Sequence, residues 1–160
     1  MSRRFLQLTK HLNKFHIGGA NKLATHTSSL SSPKYHQNTS INSIPIVRYE
    51  EIKQLPKYPN KLLIDVREPQ ELQESGKIPT AINIPLDQVI TALADNVDAK
   101  VFRAKYGRDF PAKDMEVIFH CRSGKRSQAA AEIAQKLGYT NVKNYVGSWL
   151  EWADKEGLPK

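Results

Sequence analysis

From Ser43 onward the chain alternates short apolar runs with segments whose apolar residues recur at helical spacing. Ile44-Pro45-Ile46-Val47 reads as a short edge strand, and Glu50 to Leu55 as the helix after it. Lys61 to Val66 is a buried strand ending in charge, and Glu68-Pro69-Gln70-Glu71 opens a helix with proline where the first turn tolerates it. Ala81 to Ile84 predicts a third strand, Leu86 to Leu93 a helix and Ala99 to Tyr106 another. Met115 to His120 predicts a core strand. Ser127 to Leu137 follows as an alanine-rich helix closed by Gly138. Asn141 to Tyr145 and Ser148 to Lys155 complete the series as strand and helix. Strands that alternate with helices predict an α/β domain, with a mostly parallel central sheet covered by helices on both faces.

The first 42 residues do not share this pattern. Arg3, Arg4, Lys10 and Lys14 alternate with Phe5, Leu8, Leu12 and Phe15, which would give a helix with one apolar and one cationic side. Residues 25–43 then carry nine Ser or Thr and no acid, poor material for a core. The organisation expected is a mitochondrial targeting presequence and flexible leader over residues 1–42, preferred to a merely disordered basic tail, and one domain over residues 43–160. That places the protein in the mitochondrion, in its matrix, with the import machinery as a partner.

Charge supports this division. The net charge of +8 suggests nucleic-acid binding until it is mapped: residues 1–49 hold seven Lys or Arg and no acid, whereas residues 50–160 hold 17 basic and 16 acidic residues. A domain so nearly neutral is not expected to bind nucleic acid. No run of about 18 apolar residues occurs, so no stable membrane insertion is expected.

One cysteine excludes an intramolecular disulfide and any multi-cysteine metal site, leaving a packing residue or a reactive thiol. Its setting favours reactivity. In parallel α/β sheets ligands sit beyond the carboxyl ends of strands, and Cys121 leaves one predicted strand just before the next predicted helix. Arg122, Lys125 and Arg126 beside it, with a helix N-terminus, should favour the thiolate. Ser123 and Gly124 let the chain curl, so that backbone N–H groups from Arg122 to Ser127 can point at the sulfur and at a small anion.

Cys121-Arg122-Ser123-Gly124-Lys125-Arg126 resembles the six-residue active loop of the rhodanese family. Tyrosine-phosphatase-like loops have one residue more between Cys and Arg, which suits a phosphoryl group; the shorter loop suits a sulfur atom. Asp65-Val66-Arg67-Glu68 with Glu71 is similar to the family's strand-end signature. Gly76 to Pro85 is similar to its second signature, with Lys77 and Thr80 where His and Gly are usual. Gly138-Tyr139, Asn141-Val142, Gly147-Ser148-Trp149 and Trp152 resemble its closing motif.

The resemblance implies a rhodanese-like fold over roughly residues 44–157 and a sulfurtransferase that uses no cofactor beyond a covalent persulfide on Cys121. Thiosulfate or a related persulfide is the implied donor, and cyanide, glutathione or a thiol protein the acceptor. Lys125 and Arg126 would hold the anion, Arg122 would add to the field, and the amides through Ser127 would hold the persulfide. Asp65 and Arg67 either form an ion pair that supports the loop or touch substrate. His120 adjoins Cys121, but neighbours on a strand point to opposite faces, which argues against a general base. Trp149 and Trp152 read as core anchors, and Glu71 as part of a solvated helix face. Alternatives on the same fold are a persulfide carrier serving a protein partner, phosphatase or arsenate-reductase chemistry, and a purely structural module.

Overall fold

The computed structural model describes residues 43–160. The expected leader lies outside the described residues. Five strands form one sheet in the order β1-β5-β4-β2-β3, where β1 is Ile46–Val47, β2 Lys61–Asp65, β3 Ile82–Asn83, β4 Glu116–His120 and β5 Val142–Tyr145. Every pairing is parallel, so the sheet is parallel throughout.

Six α-helices accompany it: α1 Tyr49–Gln54, α2 Pro69–Ser75, α3 Val89–Ala92, α4 Ala99–Tyr106, α5 Lys125–Lys136 and α6 Ser148–Glu156. Side-chain alternation along the two central strands shows that both faces are covered. Leu62, Ile64, Val117 and Phe119 pack on one side with Val89, Phe102, Ala130, Ala131 and Ala134 of α3, α4 and α5 and with Leu93 just past α3. Leu63 and Ile118 pack on the other with Ile52 of α1 and Trp149, Trp152 and Ala153 of α6. Both tryptophans are buried there, as core anchors.

The differences from the sequence reading are at element ends. The first strand is confined to Ile46–Val47 and the third to Ile82–Asn83, although Ile84 N–H still donates to Asp65 O at 3.0 Å. The segment expected as one helix from Leu86 to Leu93 is a 3-10 turn, Leu86–Gln88, followed by the single turn of α3, whose Val89, Ile90 and Thr91 are β-branched. Helix α5 starts at Lys125 rather than Ser127. Gly124, with φ at 86°, turns the chain so sharply that its carbonyl already accepts from Gln128 N–H.

Thr80 has a conformational consequence that its sequence position foreshadows. It adopts φ of 68° on the surface, in the left-handed region where the family's usual glycine carries no Cβ penalty.

Candidate functional site

Central strand β4 delivers Cys121 to the carboxyl edge of the sheet, and α5 leaves from the same point. The intervening loop folds back over the sulfur. Gly124 N–H donates to Cys121 Sγ at 3.1 Å, the N–H groups of Ser123 and Ser127 also point at it, and Ser127 Oγ lies 3.5 Å away. This curl requires glycine: a Cβ on Gly124 would stand 2.5 Å from Val146 O.

Cys121 is 1% exposed, and burial pushes its thiol pKa up. The Ser127 hydroxyl and the N–H groups of Ser127, Ser123 and Gly124 outweigh that and leave the pKa below its ordinary value. The thiolate is therefore easier to form than in an ordinary cysteine, the direction the sequence suggested, and the causes are hydrogen-bond donors.

Helix α6 supports the loop from the other side. Its first N–H groups need acceptors, and those of Trp149 and Leu150 take the carbonyls of Cys121 and Arg122 at 3.0 and 3.1 Å. Ser148 Oγ accepts from Cys121 N–H at 3.1 Å, donates to Tyr145 O at 2.8 Å and comes within 3.9 Å of Sγ. The sequence reading placed Ser148 at a helix start and in the closing motif, without a role at the sulfur. Its position between a glycine and a buried tryptophan, beyond the end of a strand, was the available signal.

Of the loop residues, Arg122, Ser123 and Lys125 are exposed around the sulfur, whereas Gly124 and Ser127 are buried beneath it. Arg126, expected with Lys125 to hold the substrate anion, already has a partner within the chain. Its Nη1 and Nη2 donate to Glu71 Oε2 and Oε1 at 2.6 and 2.8 Å, so its two-pronged edge is engaged. Glu71 is correspondingly not part of a solvated face. It also accepts from Glu68 N–H at 3.0 Å as a capping box, and its pKa is lowered to about 2, chiefly by the Arg126 hydrogen bond.

Asp65 and Arg67 take the ion-pair arrangement. Both are essentially inaccessible, and Arg67 Nη2 donates to Asp65 Oδ2 at 2.7 Å while its N–H and Nε reach the same carboxylate. Arg67 also donates to Ser75 Oγ and Gly76 O at the end of α2, and its guanidinium lies 4.8 Å above the Trp149 ring. The pair thus ties β2, α2 and α6 together behind the loop. His120 stands opposite Asp65 in the β2–β4 register, 3.5 Å from its Oδ2, and burial pushes its pKa down despite that carboxylate. It is fully buried in the interior, where the neutral imidazole is favoured.

The profile of the rhodanese-like domain matches residues 48–155. The chain belongs to the rhodanese family. It is 53% identical over 110 residues to a rhodanese domain-containing protein of Drosophila melanogaster, covering 69% of this chain and 97% of that one. A mitochondrial thiosulfate sulfurtransferase of Saccharomyces cerevisiae is 37% identical over 138 residues, covering 84% and 91% of the two chains. The human thiosulfate:glutathione sulfurtransferase is 36% identical over 113 residues, covering 70% and 96%. Among solved structures, a human single-domain sulfurtransferase superimposes with a TM-score of 0.62 at 36% identity, over 69% of this chain and 96% of that one. In this rhodanese the family loop, its strand-end signature and its closing motif converge on one thiol.

Proposed function

We propose that this rhodanese is a thiosulfate sulfurtransferase in which Cys121 carries the sulfur. The observation that supports this best is the convergence of three backbone N–H groups and a hydroxyl on a single buried sulfur. Such a cradle stabilises an anion on sulfur, and its four residues between Cys121 and Arg126 suit one more sulfur atom better than a phosphoryl group.

The Cys121 thiolate attacks the outer sulfur of thiosulfate. A new S–S bond forms, the S–S bond of thiosulfate breaks, and its electron pair leaves on sulfite. The terminal persulfide sulfur, now negative, takes hydrogen bonds from the loop. An acceptor thiolate then attacks that sulfur, the Cys121–sulfur bond breaks, and the thiolate returns. Exposed Arg122 and Lys125 draw the donor in and offset the charge of departing sulfite, whereas Ser148 and Ser127 hold the nucleophile in place.

Glutathione or a protein thiol is the acceptor we favour, in line with the human relative named for glutathione. The acid-free, serine-rich leader and a yeast relative named as mitochondrial support the mitochondrion as the site of action. The matrix is the compartment proposed, reached through the import machinery. Among the described residues no helix is long and apolar enough to cross a membrane.

Steady-state turnover of thiosulfate with glutathione tests this reading, run beside transfer from a persulfidated donor protein. Sulfite release that depends on both small substrates supports it. Transfer only from the protein donor would replace it with a persulfide carrier.

A further inference from the structure

The pairing of Arg126 with Glu71 is the feature of the site that sulfur transfer does not require. Arg126 ends the active loop, and Cys121 is among the anions that stabilise its charge, after Glu71. A guanidinium presents a planar fork that fits the paired oxygens of a sulfonate as well as those of a carboxylate. Here a carboxylate of the chain itself already fills the fork, through contacts of 2.6 and 2.8 Å, with the two side chains 35% and 26% exposed. None of the ion pairs among the described residues involves Arg122 or Lys125, the other two cations of the loop.

Glu71 is fixed independently of Arg126. It sits in the first turn of α2, where its Oε2 accepts from Glu68 N–H, so its position beside the loop is set by helix capping as well as by charge. The carboxylate is held charged far below neutral pH. A donor ending in a sulfonate must therefore displace Glu71 from Arg126 or bind beside a fixed negative charge. A persulfide, whose transferable sulfur carries no sulfonate, has no paired oxygens to set against Glu71 for the Arg126 fork.

We propose that Glu71 is a specificity-determining residue: by occupying Arg126 it weakens the binding of thiosulfate and other small oxyanions, and biases the cradle toward sulfur donors that lack a sulfonate. This rests on the sulfurtransferase reading for its substrate but on geometry alone for its charge logic. The consequence is a site with two accessible cations for an incoming oxyanion instead of three.

Glu71→Gln separates charge from structure, because glutamine serves a capping box as glutamate does. The variant, Arg126→Gln and the double variant are to be compared with the wild-type protein, with melting temperature as the check on folding. In Glu71→Gln the KM for thiosulfate is expected to fall about two- to fivefold, the range one partly exposed charge interaction supplies. In the Arg126→Gln background the same substitution is expected to have little effect, since the interaction passes through that guanidinium. A rise in KM in well-folded Glu71→Gln would show that Glu71 orients Arg126 for the donor, and would overturn the proposal. An equal gain with and without Arg126 would overturn it too.

A second readout does not depend on turnover. Iodoacetate and iodoacetamide differ by one negative charge, so the ratio of their alkylation rates at Cys121 measures the field of the loop. Glu71→Gln is expected to raise that ratio several-fold, and the double variant to abolish the gain. Were the wild-type protein to leave thiosulfate untouched while the ratio shifted as described, the donor assignment would fall and the role of Glu71 would stand. An unshifted ratio together with an unchanged KM would remove that role.

Discussion

Replacing Gly124 by alanine tests whether the loop amides, rather than its cations, activate the nucleophile. Gly124 has φ of 86°, and an L-residue there costs on the order of 1–2 kcal/mol. The added Cβ would also stand 2.5 Å from Val146 O and 3.1 Å from Val146 Cα, both backbone atoms that cannot rotate aside. Forced contacts of this kind cost about 1–3 kcal/mol unless the chain moves. A shift of the chain to relieve these contacts disturbs the 124 N–H, whose nitrogen is 3.1 Å from Sγ. A hydrogen bond to a charged group is worth about 1.5–3 kcal/mol, so its loss should raise the Cys121 pKa. The sign follows from the state it favours: the bond holds the thiolate, so removing it favours the thiol. The assay is the rate of alkylation by neutral iodoacetamide across pH, with a thermal melt alongside. The apparent pKa should rise and the melting temperature fall. An alanine variant with the wild-type pH profile would refute the claim that this amide activates the sulfur.

Three further substitutions probe the frame around the loop. Ser127→Ala removes the hydroxyl 3.5 Å from Sγ and should raise the Cys121 pKa, with little change in melting temperature, again read by alkylation across pH. Asp65→Asn leaves Arg67 buried without its counter-charge and should destabilise the domain by about 3–5 kcal/mol; an unchanged denaturation midpoint would contradict the structural role given to the pair. Thr80→Gly relieves a left-handed backbone at an exposed position and should stabilise by about 0.5–1 kcal/mol, read as a melting temperature a few degrees higher.

The fold was legible in the sequence where its cause is local. Helix α4 runs from Ala99 to Tyr106, as expected, because both ends carry their own signals: Asp98 Oδ1 accepts from Lys100 N–H at 2.7 Å, and Gly107 takes the left-handed conformation. The start of α5 was harder to place because the sharp turn at Gly124 allows a helix to begin inside the loop motif itself. The cysteine loop was legible as a motif, and its donors converge on the sulfur as the curl implied.

What escaped the sequence depends on residues distant along the chain. Ser148 reaches the amide of Cys121 across 27 positions, and Glu71 reaches Arg126 across 55. Neither partner is encoded near the other. A glutamate in a helix's first turn has the same local pattern whether it faces water or an active-site guanidinium. Asp65 and Arg67 fared better, because residues two apart at a strand end could be suspected as a pair before their burial was known.

The central claim is that Cys121 is the sulfur carrier, and the intact mass of the protein before and after thiosulfate tests it most directly. The wild-type protein should gain one sulfur, about 32 Da, and lose it again to cyanide or a thiol, as a covalent intermediate on one nucleophile requires. Cys121→Ser, treated alike and still folded, should gain nothing. A wild-type protein that takes up no sulfur from thiosulfate or from any persulfide donor, or a serine variant that takes it up equally, would contradict the account.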